Sequence, residues 1–259
     1  MNRNLHFAAY GWRSEVGLHR EANEDSGLIA TNLIAVADGM GGYVGGEIAS
    51  RAVITELSAV HPLLIDSEVD PESQEDIFRN SITQMDSAIA QQTSTNPELS
   101  GMGTTLTSIA MVGEHALLLH VGDSRAYRIR GRKIAQISHD HTVVQELIDQ
   151  GRITPDEVAE HPQRSLLTQA LMGHGNIEPV LMAFPAEVGD IYLVCSDGLT
   201  TVVDEAKIAA AFSGDLQSGI DSLVDLTYKN GAPDNVTIIA AQIGDRPMTV
   251  ETRTIGAAS

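Results

Sequence analysis

The chain has 259 residues, 42% hydrophobic and 20% charged, which is enough to bury a substantial core as one large domain or two small ones. A net charge of −19 and an aromatic content of 4%, with a single Trp, argue against nucleic acid and anionic membrane surfaces as partners. The lone cysteine, Cys195, rules out an intramolecular disulfide and a Cys-rich zinc site. Met1 to Glu15 has no apolar stretch of signal-peptide length, and no segment approaches the roughly 18 apolar residues of a membrane span, so the chain reads as cytoplasmic.

Strand-like runs rich in Val, Ile, Leu, Thr and Tyr are predicted at Leu5–Trp12 and Gly27–Ala37. A helix follows from about Gly46 to Val60, with Ala49, Val53, Leu57 and Val60 on one face and His61-Pro62 as its stop. The acidic stretch Asp66–Asp76 reads as a solvated loop into a second helix, Ser73–Thr93, which Asn96-Pro97 closes. Thr104–Val112, His115–Val121, Ala126–Arg130 and Lys133–Ile137 read as an antiparallel meander, with Gly113-Glu114 and Gly131-Arg132 as hairpin turns. His139-Asp140-His141 reads as helix N-capping by Ser138 or Asp140 rather than a metal site. A polar flap follows at about 145–166, with a short helix ended by Gly151 and a capping box at Thr154-Pro155-Asp156-Glu157. The last elements are a strand at Asp190–Cys195, a helical face of Ile220, Leu223 and Val224, and a strand at Val236–Ile243.

Helices gathered in pairs between runs of strands predict an α+β fold: a four-layer α-β-β-α sandwich of two mainly antiparallel sheets flanked by helices. Residues 1–243 are read as a single domain that includes the flap, and 244–259 as a loose polar tail.

Asp25, Asp38, Asp123, Asp197 and Asp234 each stand at a turn signal beside a strand end. Asp-Gly is ordinary hairpin chemistry, so any one of them alone is read as a turn residue. The set reads differently. Several acids directly follow an apolar strand, with a Gly neighbour that lets a backbone carbonyl approach a ligand. If the strands are adjacent, their carboxylates meet and raise each other's pKa, a cost that divalent cations would remove. All-oxygen ligation of this kind suits Mg2+ or Mn2+, not Zn2+.

Six short motifs recur in order along nearly the whole chain: Gly17-Leu18-His19-Arg20 with Asn23-Glu24-Asp25, Asp38-Gly39-Met40-Gly41-Gly42, Gly101-Met102-Gly103-Thr104-Thr105, Val121-Gly122-Asp123-Ser124-Arg125, Ser196-Asp197-Gly198-Leu199 and Asp234-Asn235-Val236-Thr237. In these the chain resembles the metal-dependent Ser/Thr protein phosphatases of the type 2C (PPM) family, in their compact bacterial form. The flap wording, Gly151 to Leu166, is most similar to actinobacterial members that oppose membrane-bound Ser/Thr kinases.

The resemblance implies hydrolysis of phosphoserine and phosphothreonine on proteins by direct attack of a hydroxide that bridges two Mn2+ or Mg2+ ions. It implies that Asp38 bridges the ions, while the Gly39 carbonyl, Asp197 and Asp234 complete one of them. Glu24 and Asp25 would stand in the outer shell of the other, and Asp123 with Asp197 would form a third site. Arg20 would grip the substrate phosphate through its fork geometry; its bland alternative is a surface ion pair with Glu21 or Glu24. Many relatives carry a His just after the Asp-Gly-Met-Gly-Gly turn. Tyr43 stands there in this chain, and a phenol with a pKa of about 10 is a poorer proton donor than imidazole. The implied partners are phosphorylated proteins and Ser/Thr kinases, met by a monomer in the cytoplasm or by the cytoplasmic part of a longer membrane-anchored protein. The competing readings are a non-catalytic binding module on the same scaffold and a sandwich whose Asp-Gly pairs are only turns.

Overall fold

The computed structural model describes residues 4–41, 45–66 and 68–259. In chain order the elements are β1 (His6–Glu15), β2 (Asp25–Ala30), β3 (Leu33–Met40), α1 (Gly45–Leu64) and α2 (Pro71–Thr95). Then come β4 (Gly103–Thr104), β5 (Leu106–Val112), β6 (His115–Val121), β7 (Arg125–Arg130), β8 (Lys133–Gln136) and α3 (Val143–Asp149). The rest are β9 (Val180–Pro185), β10 (Ile191–Cys195), α4 (Asp197–Thr200), α5 (Glu205–Ala211), α6 (Leu216–Lys229), β11 (Val236–Gly244) and β12 (Arg253–Gly256). Among these described residues, one sheet runs β1-β11-β10-β7-β8 and the other β12-β2-β3-β5-β6-β9, with β4 paired to β3. All the pairings are antiparallel.

Three apolar layers hold the four structural layers together. Leu28, Leu33, Ala35 and Leu106 pack beneath α1 and α2 with Val53, Leu57, Phe78 and Met85. Ile29, Ile34, Val36 and Ile109 turn the other way and meet Tyr192, Val194 and Ile239 between the sheets. Leu193, Cys195, Ile238 and Ala240 face Leu216, Ile220 and Leu223 of α6. The central strands are buried on both faces, which is why they read as continuous apolar runs rather than alternating ones.

The expected sandwich is present, and several local expectations change. Gly27–Ala37 is a hairpin, not one strand: it folds at Thr31-Asn32, where Asn32 takes φ 59°. The Asn32 amide N–H donates to the Tyr10 hydroxyl (3.0 Å), and its side-chain oxygen accepts from the Phe7 amide (3.1 Å). α1 runs through His61-Pro62 to Leu64, because a proline this close to the end leaves little helix to disrupt. α2 begins at Pro71, so the acidic stretch is partly helix; Asp70 caps it by accepting from the Ser73 amide (3.0 Å).

The meander divides. β5 and β6 belong to one sheet, β7 and β8 to the other, and the chain crosses between them at Gly122-Asp123-Ser124, with Gly122 at φ 106°. α3 is capped by Thr142, not by Ser138 or Asp140. The Ser138 hydroxyl accepts from the Ala126 amide (2.9 Å), and Asp140 is held by Arg125. The segment 244–259 is not a loose tail throughout, because β12 adds to the open edge of β2. Among the described residues, no helix is long and apolar enough to cross a membrane.

Candidate active site

Antiparallel pairing alone sets two of the acids side by side: Asp25 opens β2, Asp38 nears the end of β3, and the two are register partners. The crossover from β6 to β7 carries Asp123. Asp197 starts α4 immediately after β10, and Asp234 precedes β11. All but Asp25 line one cleft of about 550 Å³, together with Arg20, Glu24 and Gly39.

Glycines allow these loops to cross. A Cβ on Gly39 would lie 2.1 Å from the Gly46 carbonyl oxygen, and one on Gly198 would lie 1.9 Å from that of Asn235. Side chains then fix the loops to one another. The Asn235 side-chain amide donates to the carbonyls of Val16 (2.8 Å) and Ala22 (2.9 Å), while its oxygen accepts from the Glu24 amide (2.8 Å). The Thr105 hydroxyl accepts from the Asp38 amide (3.0 Å), and the Thr104 hydroxyl donates to the Asp38 carbonyl (2.8 Å). Ser196 donates its hydroxyl to Asp25 Oδ2 (2.7 Å). Asn235, Thr104, Thr105 and Ser196 all lie inside the sequence motifs, where residue type alone gave them no role.

The electrostatics are those of crowded like charges. Burial, then the charge of Asp197 and other carboxylates, raises Asp25 and Asp123 to about 7 each. Burial followed by Asp234 raises Asp197 to about 6. Burial and then Asp25, Asp197, Asp123 and Asp234 push Asp38 well above the carboxylate range. Asp25 is fully buried, and among the described residues its Oδ1 has no hydrogen-bond partner. Arg20, half-exposed at the rim, donates to Asp234 Oδ2 (2.7 Å) and stands 3.8 Å from Glu24, so it pairs with acids that line the cleft. Tyr43 and Gly42 lie outside the described residues.

These features fit hard divalent cations. Repelling carboxylates and an orphaned buried oxygen are both relieved by positive charge in the cleft. Among the described residues, no group of three His, Cys, Asp or Glu side chains encloses a point tightly enough to hold an ion unaided. Gly39 lines the same cleft beside these acids.

Comparison with known proteins converges on the same chemistry. The family model "Protein phosphatase 2C" matches residues 22–222. The serine/threonine protein phosphatase PstP of Mycobacterium tuberculosis is 43% identical over 240 residues, covering 91% of this chain and 45% of that protein. The chain thus spans about half the length of that curated relative. The protein phosphatase PhpP of Streptococcus pneumoniae is 30% identical, covering 90% of this chain and 96% of its own. Among solved structures, the catalytic domain of PstP in complex with two manganese ions superposes with a TM-score of 0.84 at 40% identity, covering 92% of this chain and 99% of that one.

Proposed function

The chain belongs to the protein phosphatase 2C family, and from that premise we propose that it is a metal-dependent phosphatase acting on phosphoserine and phosphothreonine in proteins. The observation that carries this reading is the convergence of Asp38, Asp123, Asp197 and Asp234, from four separate segments of the chain, on one cleft that Arg20 borders. Asp38 would lie between two Mn2+ or Mg2+ ions. The Gly39 carbonyl, Asp197 and Asp234 would complete one of them, while Glu24 and Asp25 would hold water around the other. Asp123 with Asp197 offers a third, weaker place. When bound, such ions supply Lewis acidity and lower the pKa of water beside the phosphorus.

The remaining work falls to the chain. Arg20 presents a planar fork matched to two phosphoryl oxygens, and its charge offsets the negative charge that grows there during displacement. Thr105 and Asn235 keep the Asp38 and Glu24 backbones in register, so that the site is assembled before substrate arrives. The substrates would be phosphorylated proteins, in opposition to Ser/Thr kinases. We place that work in the cytoplasm, carried out by a monomer.

The test is hydrolysis of a phosphothreonine peptide with Mn2+. Chelator should abolish it, and Asp38→Asn should lower kcat by at least about a hundredfold. Turnover that survives both treatments would refute the proposal.

A further inference from the structure

Asp86 sits mid-helix in α2 and is only 4% exposed. Its partners are three backbone amides of one loop. Oδ1 accepts from Met172 (3.1 Å) and Gly173 (2.7 Å), and Oδ2 accepts from Gly175 (2.7 Å). A carboxylate filled in this way by main-chain donors acts as a clamp on the loop. Gly173 brings the loop directly onto the helix. It has φ 76°, and a Cβ there would lie 2.6 Å from the Ala90 amide nitrogen.

The clamped loop continues a strip that lines the proposed catalytic cleft through Thr168, Gln169, Ala170 and Met172. The same four residues also line a second hollow of about 190 Å³, which Asp86 itself borders. The strip therefore borders both hollows, while Leu171 within it is buried in the core beneath α1 and α2. The strip is held at Leu171, whose backbone exchanges two 2.9 Å hydrogen bonds with Thr104, and at the Asp86 clamp. A phosphoryl group needs only the acidic end of the cleft, whereas the peptide on either side of it must run along a wall.

We propose that Asp86 is a positioning residue for peptide substrates: by clamping the amides of Met172, Gly173 and Gly175 it sets the cleft wall along which the phosphopeptide lies. This rests on the phosphatase reading above. The experiment compares a phosphothreonine peptide with p-nitrophenyl phosphate at saturating Mn2+. In Asp86→Ala the peptide KM should rise about tenfold, while kcat/KM for the aryl phosphate moves less than about threefold.

Asp86→Asn retains one acceptor oxygen and turns a donor toward the third amide, so its peptide KM should be intermediate; it also serves if the alanine variant does not fold. Gly173→Ala lifts the loop with the carboxylate intact and should reproduce the split. Hydrogen exchange gives a readout apart from activity: in Asp86→Asn the amides of Met172, Gly173 and Gly175 should lose protection while those of β6 keep theirs. Equal losses on both substrates, an unchanged peptide KM, or unchanged protection would each overturn the inference. A wild-type chain inactive on both substrates would instead overturn the phosphatase reading on which it depends.

Discussion

Asp25 and Ser196, 171 residues apart in sequence, meet through a 2.7 Å hydrogen bond that ties the start of β2 to the residue just before Asp197. The same hydroxyl accepts from the Thr237 amide (2.9 Å), so its donor direction is fixed toward Asp25. Ser196→Ala would take from the buried carboxylate its hydrogen bond at Oδ2 and from the Thr237 amide its acceptor. The expected cost is about 1–3 kcal/mol, a fall of roughly 2–10 °C in Tm for a chain of this size. Mn2+ affinity should fall with it, because Asp25 loses its orientation. Thermal melts with chelator and calorimetric Mn2+ titration check both effects; an unchanged melt would remove Ser196 from the framework.

The crowded acids predict an unusual pH profile for the chelated protein. Asp25 and Asp123 at about 7, and Asp197 at about 6, lie above their unfolded values of about 3.9. Between those limits the folded state binds more protons than the unfolded one, so stability falls as pH rises. Their contribution is complete below about pH 4 and lost as pH passes through 6 to 7. Helix-cap acids act in the opposite sense. Asp204 is held low by the Lys207 side chain and amide, and Asp70 and Asp215 mainly by backbone amides, so their contribution is lost only at lower pH. Chelated protein should therefore melt higher at pH 5.5 than at pH 8, and saturating Mn2+ should reverse that order. Differential scanning calorimetry across this range decides it; a flat profile with chelator would contradict the crowding.

A second framework pair lies behind the crossover that carries Asp123. Arg125 Nε and Nη2 donate to Asp140 Oδ2 at 2.9 and 2.7 Å, and Gln136 donates to Oδ1 at 2.9 Å. Asp140 is buried, while Arg125 keeps one side in solvent. Arg125→Ala strands a buried carboxylate and should cost about 3 kcal/mol by urea denaturation. Arg125→Lys should recover only part of this, since a single ammonium cannot reproduce the fork. A loss below about 1 kcal/mol, typical of a surface pair, would show that the crossover is held by something else.

Short motifs make the acids legible because each is a local signal: an apolar strand, an acid and a glycine adjacent in sequence, as at Cys195-Ser196-Asp197-Gly198. The sheets are legible for a related reason, since runs such as Leu117-Leu118-Leu119 are buried on both faces. Tertiary choices are not. Nothing local to Val121-Gly122-Asp123 reveals that the chain leaves one sheet for the other there, and a hairpin and a crossover carry the same turn residues. The Thr31-Asn32 turn was hidden because its flanks are apolar on both faces, and Asn adopts positive φ without announcing it. Asp86 carries no local signal, because its partners are backbone amides on a loop 86 to 89 residues away.

The C-terminal strand was illegible because it is an edge strand with one partner and little apolar content of its own. Ile255 packs over Gly27 into the layer between the sheets, where a Cβ on Gly27 would lie 2.8 Å from the isoleucine side chain. Arg253 covers the Trp12 ring at 5.3 Å, and the Ala257 amide donates to the Asp25 carbonyl (2.7 Å). The strand thus closes an open sheet edge and fastens the backbone of Asp25, the register partner of the cleft acid Asp38. Removing residues 245–259 should cost about 2–4 kcal/mol, from Ile255 and Val250 together with the lost pairing. Gly256→Ala is the finer probe, because φ is 68° and the new Cβ would meet the Asp25 carbonyl oxygen at 2.2 Å. It should lower stability by more than about 1 kcal/mol and weaken Mn2+ binding in parallel. If both variants melt like the parent, the strand only decorates the edge and Asp25 is held without it.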